Sequence, residues 1–321
     1  MTHAEAGRGA EQGVGVARRS AEVLDDLRLL RIRGGSAIGR AAFTALALAA
    51  AEGPDDPAAL GAHVRAVGGE LLALAPVMAT VARAVRDAEA IVEEELRRGT
   101  PAPQLRARLR TWAERSVRRS EADLTRLAEV GARLVGSGRT LVTHSFSDTV
   151  LRILTHVARA GGTARVVLTE SRPLCEGRRL AEAVAALGLP CELIPDAAMG
   201  VRVRGADLVM VGADAVLPSG AFLNKTGTYL LALAAADAGV PVYVAAETTK
   251  VDPRAALGWP VPVPDRPAAE VLGEWTPPPG LTVWNRFFET TPARLVEAFI
   301  TERGLLSPAA MAAAVRAEEE A

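Results

Sequence analysis

The sequence predicts an α/β protein with a helical N-terminal domain followed by a Rossmann-like C-terminal domain built on a parallel sheet. Three observations predict it. From Ser20 to about Arg133 apolar residues recur at three- and four-residue spacing, and after Gly136-Ser137-Gly138 short β-branched runs alternate with helical windows. Those runs are also apolar almost without interruption, as strands covered on both faces of a parallel sheet must be.

The elements follow in order. Residues 1–17, rich in Gly, Ala, Glu and Arg without a period, read as a disordered tail. Apolar stripes such as Val23-Leu27-Leu30, Leu71-Leu74-Val77-Val81, Leu105-Leu109-Trp112 and Leu124-Leu127 mark helices over 18–133. Breaks at Gly34-Gly35, Gly53-Pro54 and Gly99-Thr100-Pro101 divide them into a bundle of about five. The second domain, 134–305, carries strands over 140–143, 164–169, 191–194, 208–211 and 242–245. Helices over 148–160, 176–187 and 226–238 lie between them, and a C-terminal helix is expected over 306–321.

Composition narrows the function. A chain of 321 residues that is 49% hydrophobic can bury the cores of two domains. Its 37 basic and 38 acidic side chains leave a formal net charge of −1, so no global field attracts nucleic acid or an anionic membrane, and direct binding to either is not expected. The apolar run over 41–51 is too short for a membrane span. Two cysteines, Cys175 and Cys191, and no cleavable apolar leader point to the cytoplasm and away from a disulfide framework. No metal and no cofactor is expected. The sharpest compositional fact is that Lys225 and Lys250 are the only lysines in an arginine-rich chain, and Asn224 and Asn285 the only asparagines. A position that keeps lysine where arginine serves elsewhere suits a compact ammonium in a site, and both fall in segments that the strand order marks as site loops.

Ligands of parallel sheets bind at the carboxyl ends of the strands. Those ends are Thr143-His144-Ser145-Phe146-Ser147-Asp148, Thr169-Glu170-Ser171-Arg172-Pro173, Gly212-Ala213-Asp214 and Glu247-Thr248-Thr249-Lys250. A loop after Asp214 delivers Asn224-Lys225-Thr226-Gly227-Thr228 to a helix start, where free amides and the helix dipole favour an anion. Asp148 reads as the N-cap of its helix, and His144 as a core histidine bonded to a neighbouring strand. Asp214 alone would read as a loop cap or the partner of an arginine; beside Asn224 and Lys225 it reads as a site carboxylate.

These segments, with Asn285-Arg286-Phe287-Phe288-Glu289-Thr290-Thr291-Pro292, resemble the successive signatures of the initiation factor 2B alpha/beta/delta family over about residues 20–305. Each is weak alone; six in order are specific. The family includes isomerases of ribose 1,5-bisphosphate and methylthioribose 1-phosphate. The resemblance therefore implies a phosphorylated sugar as ligand and a homodimer or homohexamer joined through the C-terminal domains, with the aromatic segment 284–292 either at that interface or in the core. It also implies a phosphate contact from Arg33-Gly34-Gly35-Ser36, and an acid/base pair made of a cysteine after the first strand and an aspartate after the fourth. The aspartate is Asp214. Ser145 stands in the cysteine's place, and Ala75-Pro76 where the isomerases carry an arginine before proline. The implied site is Asp214 and Ser145 for chemistry, with Arg33, Gly34, Gly35, Ser147, Arg172, Asn224, Lys225 and Lys250 for binding.

Converting an aldose 1-phosphate to a ketose phosphate opens a ring and moves hydrogen between adjacent carbons, so one group must give a proton as another takes one. A carboxylate shielded from water has its pKa raised toward neutrality and suits that exchange. A serine hydroxyl, unlike a thiol, has no comparable ionisation. Cys175 could bring a thiol from another loop, although a loop cysteine is more often incidental. Three functions thus stand: an isomerase, a non-catalytic regulator that binds a sugar phosphate or nucleotide, and an exchange-factor subunit.

Overall fold

The computed structural model describes residues 19–314; the tail expected over 1–17 lies outside the described residues. The helical run resolves into α1 (Ser20–Arg28), α2 (Gly35–Glu52), α3 (Pro57–Leu74), α4 (Ala79–Arg97) and α5 (Ala102–Val135). Local chemistry sets the boundaries. Asp56 caps α3 by accepting from the Ala59 amide at 2.8 Å, with Pro57 in the first turn. Gly34, at φ 87°, turns the chain into α2 through a conformation open to glycine. Leu46, Leu60, Leu71, Val92 and Leu105 form the bundle core.

Helix α5 is 34 residues long, about 51 Å at 1.5 Å per residue. Its last turns place Leu127, Ala128 and Val135 in the core of the sheet. The transition near residue 134 is therefore a change of secondary structure with one helix serving both sides of it.

Beyond α5 come β1 (Arg139–Thr143), α6 (Asp148–Arg159), β2 (Ala164–Thr169), α7 (Glu176–Ala186), β3 (Cys191–Ile194), α8 (Met199–Arg202), β4 (Leu208–Gly212), β5 (Ala215–Val216), β6 (Phe222–Lys225), α9 (Thr228–Asp237) and β7 (Val242–Ala245). The chain ends with α10 (Pro253–Ala256), α11 (Ala269–Leu272), β8 (Phe288–Thr291), β9 (Ala298–Thr301), β10 (Gly304–Leu306) and α12 (Pro308–Ala313). Seven strands pair in the order β10-β9-β7-β4-β1-β2-β3, all parallel except the β9–β10 pair. Alternation along each strand feeds two cores: Leu141, Leu208 and Met210 face α5, α6 and α7, while Val142, Val209 and Val211 face α9. The order reverses between β1 and β4, paired at Leu141 and Leu208. That switch point is where such sheets open a ligand crevice.

Two expectations change. Residues 222–225, read as a loop, form β6, the middle strand of a small antiparallel sheet β5-β6-β8. Its four residues end in Asn and Lys, which hides the strand pattern. The C-terminal helix begins at Pro308, because Leu306 belongs to β10 and Ser307 caps α12 by accepting from the Ala310 amide at 3.2 Å; residues 315–321 lie outside the described residues. No helix among the described residues is long and apolar enough to cross a membrane.

Candidate functional site

A cavity of about 270 Å³ lies where the helical bundle meets the carboxyl ends of β1 and β4. As β1 ends, His144 turns into the core: Nδ1 lies 2.6 Å from Thr169 Oγ1 and Nε2 2.9 Å from the Thr226 carbonyl. A carbonyl only accepts, so Nε2 carries the proton and Nδ1 accepts from Thr169. Burial lowers the imidazole pKa and keeps it neutral. A β carbon at Gly227 would sit 2.7 Å from that Nε2, so the close approach needs glycine. Ser145 follows in the left-handed region at φ 66° and donates its amide to Ser171 Oγ at 2.7 Å. Ser147, and not Asp148, is the cap of α6, accepting from the Val150 amide at 3.3 Å. Asp148 is the first helical residue, and its carboxylate accepts from Arg152 Nε at 2.9 Å.

Asp214 follows β4. Its amide donates to the Leu223 carbonyl at 2.9 Å and its carbonyl accepts from the Ala79 amide at 3.1 Å, which ties it to the small sheet and to α4. Its side chain keeps a small face toward the cavity and is otherwise enclosed by protein. Desolvation raises its pKa to about 6; Lys250 and Lys225 oppose the rise and Glu176 adds to it.

Both lysines enter this cavity. Lys225 ends β6, almost wholly buried; its ammonium pairs with Glu176 and stands 3.8 Å from the Phe287 ring centroid. Lys250 lies 3.4 Å from the buried Glu247 carboxylate. Asn224 Nδ2 donates to Thr228 Oγ1 at 3.0 Å. The anion expected at the start of α9 is the protein's own: Glu289 Oε1 accepts from the Gly227 and Tyr229 amides at 2.7 and 2.9 Å. Lys225 therefore contributes from a strand end beside that helix start.

The bundle supplies the opposite wall. Arg33 donates Nε to the Leu30 carbonyl at 2.7 Å, and Gly34, in the position before α2, offers that helix no side-chain cap. Gly35 comes so close that a β carbon on it would lie 3.2 Å from Asp214 Oδ1. Ala75 and Pro76 line the cavity too.

Nine of the ten candidate residues line the cavity; Arg172 does not. The Asp196 carboxylate accepts the Ser171 and Arg172 amides, both at 2.7 Å, and turns the chain outward. The exposed Arg172 guanidinium then donates to the Val271 carbonyl at 2.9 Å. Cys175 also lies outside the lining. Sequence reasoning missed Glu176, read only as a helix start, and Arg266, whose guanidinium lies 4.5 Å from the centroid of the Phe287 ring that Lys225 also contacts. The concentration of aromatics over 284–292 was the available signal for Phe287.

Comparisons with known proteins show what the whole chain is similar to. The ribose 1,5-bisphosphate isomerase of Thermococcus kodakarensis is 30% identical over 310 residues, covering 94% of this chain and 95% of that protein. The methylthioribose-1-phosphate isomerase of Heliobacterium modesticaldum is 34% identical over 299 residues, covering 88% of this chain and 86% of that one. The crystal structure of the Pyrococcus horikoshii OT3 translation initiation factor eIF-2B matches with a TM-score of 0.76 and 32% identity, covering 91% of this chain and 98% of that one. The model of the initiation factor 2 subunit family matches residues 31–308, and with a match over most of its length the chain belongs to that family.

Proposed function

We propose that the chain binds a phosphorylated pentose in this cavity and isomerises the aldose 1-phosphate to its ketose. The observation that carries the reading is Asp214: a carboxyl group desolvated at the switch point, with a pKa of about 6, facing a cavity that also holds both lysines. Such a group can take and return a proton near neutral pH. Arg33 and the uncapped first turn of α2 grip phosphate, where helix amides and dipole favour an anion. Asn224, Lys225 and Lys250 hold the second phosphate or the hydroxyls, and Ser145 and Ser147 hydrogen-bond the sugar. The named isomerases among the relatives support this substrate class. The protein works as a homodimer or homohexamer in the cytoplasm.

A second reading, a regulator that binds the same ligands without turnover, is favoured by one observation. Ser145 supplies a hydroxyl at the position where the resemblance implies a thiol. Incubation with ribose 1,5-bisphosphate and with methylthioribose 1-phosphate, followed by NMR, decides between them. Ketose formation supports the isomerase; calorimetric binding of either sugar without ketose rejects it in favour of the regulator.

A further inference from the structure

Asp148 lines the sugar-phosphate cavity, yet the proposed isomerisation gives its carboxylate no task. Ser147 caps α6 in its stead. Oδ2 of Asp148 accepts from Arg152 Nε at 2.9 Å, one turn along α6, and Oδ1 has no hydrogen-bond partner among the described residues. A carboxylate has room for several donors, and this side chain is 25% exposed. Acceptor capacity therefore remains for a molecule in the cavity.

The carboxylate is braced from behind. Arg152 Nη1 donates to Glu121 Oε2 at 3.0 Å, and Glu121 Oε1 pairs with Arg40 Nε at 2.8 Å. These alternating charges run from α6 through α5 to α2, so helices of the bundle and of the sheet layer together fix the direction of Asp148. A contact group supported in this way holds the geometry that recognition needs. Arg152 also offsets the negative charge that Asp148 presents to a phosphorylated ligand.

The position of Asp148 selects what it can read. It stands against the entry to α2, where a β carbon on Gly34 would lie 3.4 Å from Asp148 Cβ. The other carboxylates in the lining are engaged elsewhere: Glu176 pairs with Lys225, Asp265 with Arg286 at 2.6 Å, and Asp214 is the proton-exchanging group of the proposed reaction. A phosphate at Arg33 and the first turn of α2 brings the sugar ring that carries it beside Asp148. We propose, on the sugar-phosphate reading of this cavity, that Asp148 is a specificity-determining residue whose free oxygen accepts hydrogen bonds from the ribose hydroxyls at C2 and C3. A site built to hydrogen-bond a substrate hydroxyl rejects the analogue that lacks it.

Isothermal calorimetry with ribose 1-phosphate and its 2-deoxy and 3-deoxy analogues tests it on the full chain, as wild type, Asp148→Ala and Asp148→Asn. In wild type at least one deoxy sugar should bind about tenfold more weakly, the loss of one hydrogen bond to a charged group. In Asp148→Ala that gap should close to within about twofold, since a hydroxyl without its acceptor has no interaction left to lose. Affinity for the weaker deoxy sugar should barely change. Asp148→Asn keeps the shape and one acceptor; its gap should fall between the other two, and it carries the test if the alanine variant does not fold. Equal binding of all three sugars by wild type overturns the proposal, as does a gap that survives in both variants. Substitutions that weaken all three sugars alike mark a purely structural ion pair with Arg152, and substitutions that tighten all three alike mark a repelling charge; either overturns it. A wild type that binds none of them overturns it too, and ribose 1,5-bisphosphate then shows whether the sugar-phosphate reading falls with it.

Discussion

Lys225 and Glu176 form an ion pair inside the cavity, joining the end of β6 to the first turn of α7. A nearly fully buried cation of the site is thus held by a carboxylate that an incoming phosphate must compete with. Two opposite substitutions follow from it. Lys225→Ala removes the cation, and since a charge-assisted hydrogen bond is worth about 1.5–3 kcal/mol, sugar-phosphate affinity should fall roughly ten- to a hundredfold. It should also lower the melting temperature by several degrees. A loop lysine would leave stability alone, but here a largely buried carboxylate loses its partner. Glu176→Gln keeps the shape and releases the ammonium, so affinity should rise several-fold. Calorimetry that shows Glu176→Gln binding no tighter than wild type sinks the competition.

Asp214 makes a prediction about stability and pH. Its pKa is about 6 in the fold against 3.8 as the ordinary value. The folded state therefore holds the extra proton between those values, and stability falls as pH rises through that window. Ionising this desolvated carboxyl costs about 1–3 kcal/mol above pH 6 and nothing below pH 3.8. Asp214→Asn should accordingly melt a few degrees higher than wild type at pH 8, and the advantage should vanish toward pH 4. A variant less stable than wild type at pH 8 would show that the ionised carboxylate is stabilising and contradict the desolvation account.

Much of this arrangement is legible before folding, and the boundary is physical. The bundle helices and the five long parallel strands announce themselves because their apolar side chains meet the core at fixed periods, as Leu141 and Val142 do on opposite faces of the sheet. The site residues are legible where they follow those strands directly, as Ser145 and Asp214 do. Residues whose partners come from far along the chain are not. Glu289 reaches Gly227 across 62 residues, and no local pattern states that this carboxylate occupies the helix start. Arg172 fails for a different reason: side-chain direction after β2 is set by Ser171 at φ 62° and by Asp196, a backbone turn that residue types do not encode.

Assembly can be tested through the tryptophans. Trp259, Trp275 and Trp284 are each more than half exposed in a chain with only 4% aromatics, and α9 turns Leu230 outward as well. Large apolar groups left in water are enriched at interfaces. Light scattering at micromolar concentration should return a multiple of 33.5 kDa, with tryptophan emission shifting to the red on dilution into dissociation. A monomeric mass at that concentration removes the oligomer from the proposed function.

Ser145 separates the two functional readings most sharply, because they demand opposite results from one substitution. If the chain is an isomerase working with a weak acid/base partner, Ser145→Cys should raise turnover. A thiol ionises near ~8.5 and can be tuned down, whereas a hydroxyl cannot. General acid-base assistance contributes about 10²–10⁴-fold, and part of that should be regained. The fold accommodates the change: Ser145 already occupies the left-handed region, its backbone anchored by the Ser171 hydroxyl at 2.7 Å, and cysteine differs only in the atom beyond Cβ. Asp214→Asn should abolish both native and restored activity, since an amide cannot exchange the proton. If the chain is a regulator, Ser145→Cys stays at background and Asp214→Asn alters ligand affinity alone. An active wild type indifferent to Asp214→Asn defeats the mechanism, while an inactive wild type still inactive with the thiol in place leaves Asp214 as a ligand contact in a site that binds and does not turn over.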